Sequence, residues 1–451
     1  MTIEPVAELG SVGAKPPFRG RYLGGSTTVN GGYFIRARRE DFDRWAAAGN
    51  PAWAYERMLP FLRAMETDLG FGAGDVHGAD GPVLVRRGEL EHPAAAAFAA
   101  AAQELGFPHE PDKNAQSTPG FGPVPSNTVD GVRLNTGVSY LRAALDRPNL
   151  TVVGNSPVIR VVITDGRATG VLVDHGGRHT VVDAGEVVLC AGSFVTPHLL
   201  QLSGIGPRAD LERLGLPVLK DSFSVGARFS DHPQVLLEWA PRRDLGEPTD
   251  SWLGGCLHLS SSDGPHPGDL ENLQSLAPMA ALAGGTVTVP GAPLAFLVSA
   301  QTPRRTGSLR LRSADPATAP RIDYGYLQAP EDRRSLREVV RTTAELTATR
   351  AFHEVSRALL GPDPATLADD RALDVWIAGR LGTAHHTCGT APMGPADDPG
   401  TAVDQYGRVH GIAGLRVADT SILPDAPLRG PAATAVLTGE LVAHAVRHDL
   451  R

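Results

Sequence analysis

Cysteine is scarce in this chain of 451 residues: Cys190, Cys256 and Cys388 are widely spaced and odd in number. Such a set argues against a disulfide framework and fits a reducing compartment. No stretch approaches the roughly 20 apolar residues a membrane span needs. The opening MTIEPVAELG has neither the basic nor the apolar region of a secretory signal, so a cytoplasmic location is expected. No cluster of Lys and Arg offsets a net charge of −8, which argues against broad nucleic-acid binding. The short basic run from Arg36 to Arg39 reads as solvated surface. Also missing is the order strand, G-x-G-x-x-G, helix that marks a dinucleotide site. Its nearest match, Gly204-Ile-Gly206-Pro-Arg-Ala209, follows a helical stretch and fails that test. There is no G-x-S-x-G elbow for a serine nucleophile. His385, His386 and Cys388, with His410 as a fourth, lack the spacing of a zinc site, so no metal is expected.

Glycine and proline, by contrast, are plentiful at 51 and 37 residues, and they cut the chain into short elements joined by turns. The length exceeds what one growing core accommodates and predicts two lobes. Residues 92–106 are alanine-rich and predict a helix. NLTVVGNSPVIRVVITDGRATG, from Asn149 to Gly170, predicts two or three short strands with Gly, Pro and Asp-Gly turns. VVDAGEVVLC ends in a buried strand at Cys190, and a helix over 196–202 follows, with Pro197 near its first turn. Residues 232–312 read as β-rich without a clear period. The span 331–352 is a strongly amphipathic helix. GLRVAD predicts a strand near the C-terminus, and TAVLTGELVAHAV the closing helix.

Three stretches carry the chemistry: GRYLGGSTTVNGGYF from Gly20, GEVVLCAGSFVTPHLLQLSGIGP from Gly185, and HHTCGTAPMG with GLRVADTSILP from His385 to Pro424. Together with DFDRWAAAGNPAW, HGADGP, YLRAALDRPNLTV, SVGARFSDHP, RRTGSLRLRSADP and VDQYGRVHG, in this order, they resemble the glucose–methanol–choline oxidoreductases. That family comprises FAD-dependent alcohol oxidases and dehydrogenases. The resemblance runs from about Phe18 to the end. It implies an α/β fold: an incomplete Rossmann-like FAD-binding lobe (1–40, 150–231, 385–451) and an α+β substrate lobe with an antiparallel sheet (41–149, 232–384). The FAD contacts it implies are Gly24, Gly25, Ser26, Asn30, Gly31, Gly32, Val158, Ala191, Gly192 and Asp419. Taken alone, Ser26 reads as a helix cap, Val158 as a core strand residue and Asp419 as a turn cap. Family members carry a complete βαβ unit ahead of the first stretch, roughly 30 residues or more. Only 19 residues precede Gly20, so a late recorded start or a fragment is expected.

Oxidising an alcohol removes a hydroxyl proton and passes a hydride to the flavin N5. A neutral histidine suits the first task, and the family places it in H-x-x-G-T, here His386-Thr-Cys-Gly389-Thr390. The resemblance also calls for a second His or Asn six residues after Pro424, but that position is Gly430. Arg429 beside it could supply a positive charge or simply be a surface arginine. RGPAATAV after TSILP is similar to the mycofactocin-associated branch of the family, whose members act on a reduced redox cofactor. The expected partners are thus a small-molecule alcohol or a reduced redox cofactor, plus an electron acceptor the residues do not identify. A flavin-free, non-catalytic paralogue is the rival reading.

Overall fold

The computed structural model describes residues 6–9, 12–15, 19–88, 90–282, 291–304 and 306–448. Its largest element is a seven-stranded antiparallel sheet made of β1 (Phe121–Pro123), β2 (Pro233–Pro241), β3 (Leu253–Leu259), β4 (Leu270–Ser275), β5 (Leu294–Ala300), β6 (Ser356–Leu359) and β7 (Gly382–Thr383). Spatially the order is β6-β2-β5-β4-β3-β1, with β7 also pairing β2. Side chains alternate across a strand, and the two faces of this sheet differ.

One face packs on helices. Phe296, Val298, Val235, Leu237, Leu257 and Leu270 meet Phe98 of the helix Pro93–Glu104 and Leu336, Val339 and Val340 of the helix Pro330–Ala348. The buried positions 336, 339, 340, 343 and 346 follow the helical repeat. Each such aliphatic side chain contributes about 1.5–3 kcal/mol on burial. The amphipathic pattern predicts residues 331–352 as one helix, but the chain breaks at Thr349. Its hydroxyl caps a short second turn, Arg350–His353, by accepting from Phe352 N.

The opposite face carries two rows set by the register. Gln234, Ser299, Glu271 and His258 lie side by side across β2, β5, β4 and β3, and Leu236, Leu297, Leu273 and Cys256 form the next row. Tyr33, Ile35 and Val124 pack against this face.

A second core joins Phe34, Phe42, Trp45 and Trp53 to Val187, Leu189, Leu415, Val417, Leu437 and Leu441. At its centre the strands Val187–Leu189 and Leu415–Val417 pair in parallel, 228 residues apart in register (Val187 with Leu415). Beside them Val158–Thr164, Arg167–His175 and Arg178–Asp183 form an antiparallel meander. The near-fingerprint at Gly204 does follow a helix, Gly192–Leu202. That helix starts four residues earlier than expected, because Gly192 adopts φ 81° and turns the strand directly into it. Pro197 therefore lies inside the helix, not near its start. Arg36 and Arg38, expected on the surface, are buried: Arg36 pairs with Glu66 at 2.6 Å, and Arg38 donates to the Ser117 carbonyl at 2.8 Å.

Candidate active site

His386 stands on the loop after β7, and the chain fixes it from two sides. Ser230 and Cys388 form a two-way backbone bridge, N to O at 3.0 and 2.9 Å. Asp231, fully buried, gathers the backbone N–H groups of His232 (2.7 Å) and His386 (3.1 Å) and the hydroxyls of Thr383 (3.1 Å) and Thr387. On the other side Gly389 N donates to the Thr420 carbonyl and Thr420 Oγ1 to the Thr387 carbonyl, both at 3.1 Å. Gly389 has φ 87°, and a Cβ there would stand 3.0 Å from the carbonyl oxygens of both Leu423 and Pro424. The motif's glycine is thus required by backbone crowding as well as by its conformation.

Held this way, His386 turns its Nε2 to Gly430. A Cβ built on Gly430 would lie 3.3 Å from Nε2, 3.4 Å from Cε1 and 3.7 Å from Tyr33 Cδ1. Glycine thus leaves only a narrow gap before the ring, too tight for even a Cβ without a small shift, where a second polar side chain was expected. The other ring nitrogen, Nδ1, lies 2.8 Å from Nδ1 of His232, with the rings edge to face. Burial, then His232, His385 and Arg19, pushes the His386 pKa well below the ordinary imidazole value. Burial likewise lowers that of His232, to about 3. Both rings are neutral at pH 7.

Tyr33 leads from this gap to the sheet. Its hydroxyl donates to Glu271 Oε2 at 3.1 Å and lies 3.5 Å from Cys256 Sγ. Behind Glu271, His258 Nε2 is at 3.0 Å, and Lys113 Nζ reaches His258 Nδ1 at 3.2 Å and Glu110 Oε2 at 2.7 Å. Arg429 is also buried, not on the surface. Its Nη1 donates to the carbonyls of Gly268 and Leu428, while Nε and Nη2 have no partner among the described residues. Cys256, His258 and Glu271 have ligand atoms close enough together for a metal, but Lys113 on His258 already brings a positive charge into that group. Glu66, Asp68 and His77 form the other such group, and Arg36 and Arg87 pair with its carboxylates.

The glycine-rich stretch at 20–32 divides by role. Gly24, Gly31 and Gly32 are crowded by protein: a Cβ would approach Asn135 Oδ1 to 2.7 Å, Trp252 Cζ2 to 2.9 Å and Thr128 Oγ1 to 2.6 Å respectively. Ser26 Oγ accepts from Gly20 N at 3.3 Å instead of capping a helix, and Asn30 Oδ1 accepts from Gly32 N at 3.0 Å. Gly25 and Gly192 differ, since both have positive φ and a Cβ on either would meet nothing within 4 Å. Ala191 is the N-cap of the helix Gly192–Leu202 and offers no capping side chain. Asp419 ties the end of Leu415–Val417 to that helix, accepting at Oδ2 from Gly192 N (2.9 Å) and Thr196 Oγ1 (2.6 Å) and at Oδ1 from Ser421 N (2.8 Å). Val158 opens its strand with 36% of its surface exposed. Arg19 connects these places: its Nη2 reaches Thr387 Oγ1 at 3.4 Å, and its guanidinium lies 4.4 Å over the Phe194 ring.

Two profiles of the GMC oxidoreductase family match residues 11–234 and 303–439. The chain belongs to the GMC oxidoreductase family. A GMC-type oxidoreductase of Rhodococcus erythropolis is 39% identical over 436 residues, covering 94% of this chain and 81% of its own length. An oxygen-dependent choline dehydrogenase of Rhizobium rhizogenes is 35% identical over 467 aligned positions, covering 98% and 83%. The crystal structure of pyridoxine 4-oxidase from Mesorbium loti superposes with a TM-score of 0.90 at 25% identity, over 99% of this chain and 89% of that one. This GMC oxidoreductase is accordingly an FAD-dependent enzyme of the alcohol dehydrogenase and oxidase type. Gly25 and Gly192 leave their backbone uncovered, and Val158 and Val188 expose apolar surface, features that a flat ring lying against backbone would use. No helix among the described residues is long and apolar enough to cross a membrane.

Sequence reasoning missed His232, Asp231, Tyr33 and Glu271. SDHP did stand out as a family marker, yet nothing local tells that its histidine touches another one 154 residues away.

Proposed function

We propose that this GMC oxidoreductase oxidises a small-molecule alcohol with His386 as the base. The observation that carries the proposal is the Nε2 edge of a buried histidine turned to Gly430, on a ring whose pKa burial holds well below the ordinary imidazole value. In this reading Nε2 accepts the substrate hydroxyl and then its proton. Tyr33 and the apolar row Leu236, Leu297, Leu273 and Cys256 wall off water, which strengthens every polar contact inside. FAD, when bound along Gly25, Val158, Ala191 and Gly192, supplies the two-electron acceptor. Asn30 and Asp419 act through the backbone they hold. In this reading the described residues within 1–40, 150–231 and 385–451 make the cofactor lobe and those within 41–149 and 232–384 the substrate lobe, with the strand Val6–Leu9 pairing across to Arg321–Asp323.

The test is anaerobic bleaching of the flavin band after mixing with an alcohol, starting with choline and pyridoxine on the strength of the relatives' names. Wild type should bleach, and His386→Ala should bleach about a thousandfold more slowly. An Ala variant as fast as wild type, or a protein that stays colourless after incubation with FAD, would sink the proposal.

A further inference from the structure

Resting on the assignment of His386 as base, we propose that His232 is a positioning residue that sets the tautomer of His386. It keeps the proton on Nδ1 and leaves the lone pair on Nε2, toward the gap at Gly430. A neutral imidazole has one N–H and one lone pair, so an Nδ1–Nδ1 contact of 2.8 Å holds a single hydrogen. If His232 supplied it, His386 would carry its own hydrogen on Nε2 and have nothing with which to take a proton. If His386 supplies it, His232 must carry its hydrogen on Nε2.

The role of His386 as base decides between these arrangements, because only the second leaves its Nε2 lone pair toward Gly430. The His232 ring is fully buried, and its Nε2 has no hydrogen-bond partner among the described residues. The Pro427 backbone and Asp425 both favour a hydrogen on this ring. The Asp231 carboxylate is taken up by two backbone N–H groups and two threonine hydroxyls. Arg44 and Arg429 oppose a charge on His232, and Arg19 one on His386. The pair therefore shares one hydrogen, which His386 donates.

The chemistry then balances. The alcohol O–H bond breaks and its proton goes to His386 Nε2, and FAD, when bound, would supply the acceptor for the hydride lost from the C–H bond. The resulting imidazolium keeps its Nδ1–H on His232, whose lone pair stabilises the new charge.

Holoenzyme labelled with 15N-histidine tests this without turnover, because long-range proton–nitrogen correlations show which ring nitrogen carries hydrogen. His386 should show a protonated Nδ1 and a bare Nε2. His232→Asn places an amide oxygen near the lost Nδ1, whereas His232→Phe fills the space without an acceptor. The Phe variant should lose about 100-fold in kcat with KM little changed and move the hydrogen to Nε2, and the Asn variant should recover to within about tenfold. A wild-type His386 with its hydrogen on Nε2, or a Phe variant with unchanged kcat and tautomer, overturns the inference. If the Phe variant does not fold, the wild-type spectrum decides. An active His386→Ala would instead overturn the base assignment, so the two failures are distinguishable.

Discussion

His77 and His386 are both buried histidines with short contacts at their ring nitrogens, yet one is held protonated and the other bare. Around His77, Glu66 Oε1 lies 2.8 Å and Asp68 Oδ2 3.0 Å from Nδ1, and Asp112 Oδ2 lies 2.7 Å from Nε2. Burial alone would strip its proton, but hydrogen bonds to Asp112, Asp68 and Glu66 outweigh it and raise the pKa to about 10. Arg36 and Arg87 complete the balance, three cations against three carboxylates. At Nδ1 His386 meets another neutral ring, and burial, with His232, His385 and Arg19, keeps its value depressed. The lesson is that exclusion of water sets the starting point, and the charge of the partner sets the outcome. One histidine is held as a cation among carboxylates, and the other is a neutral ring, the one proposed as base.

The sharpest way to break this contrast is a crossed pair of variants. His386→Gln should lower kcat about a thousandfold with an unchanged urea midpoint. His77→Gln should do the reverse, losing about 3 kcal/mol of stability while turnover per folded enzyme stays at the wild-type level. A His77 variant that folds normally but turns over slowly would erase the distinction.

Acidity separates the two histidines next. Because the folded pKa of His77 is raised from 6.5 to about 10, its stabilisation is fully present below 6.5 and lost as pH rises through about 10. His232, lowered from 6.5 to about 3, works the other way. Its contribution is complete above 6.5 and lost as pH falls toward 3. Thermal unfolding from pH 4 to 10 should therefore show an alkaline limb that His77→Gln flattens, with the acid limb retained. An alkaline limb identical in the variant would count against the charged His77. In the same spirit, kcat/KM should stay level from pH 8 down to 6, since the His386 value is depressed.

The smallest effect concerns the gap itself. Gly430→Ala would set a methyl 3.3 Å from His386 Nε2, which should cost about tenfold in kcat/KM and leave the His77 cluster untouched. Unchanged kinetics would mean the alcohol approaches from elsewhere.

Much of this was legible in the chain. HHTCGT pointed to His386, the strands expected within 149–170 correspond to Val158–Thr164 and the start of Arg167–His175, and the alanine run and most of the 331–352 repeat are helical. What stayed hidden depends on distant partners. Arg36, Arg38 and Arg429 looked like surface because charge usually is, and the groups that accept them (Glu66, the Ser117 carbonyl and the Gly268 carbonyl) lie far along the sequence. The contact of His232 with His386 was invisible for the same reason. Gly25 and Gly192 could not be told from Gly24, Gly31 and Gly32 by type, because only the packing shows which of them face open space.

The proposed base and the apolar row hang from different parts of one sheet: His386 follows β7, which pairs only the start of β2 at Pro233 and Gln234. His386 is clamped by loops at 230–232 and 419–424, whereas Leu236, Leu297 and Leu273 project from strands whose backs are fastened to helices. The row can thus be recut, one side chain at a time, to admit alcohols of another shape while the proton acceptor stays in place. A scaffold built this way invites re-tailoring of substrate preference through the sheet alone.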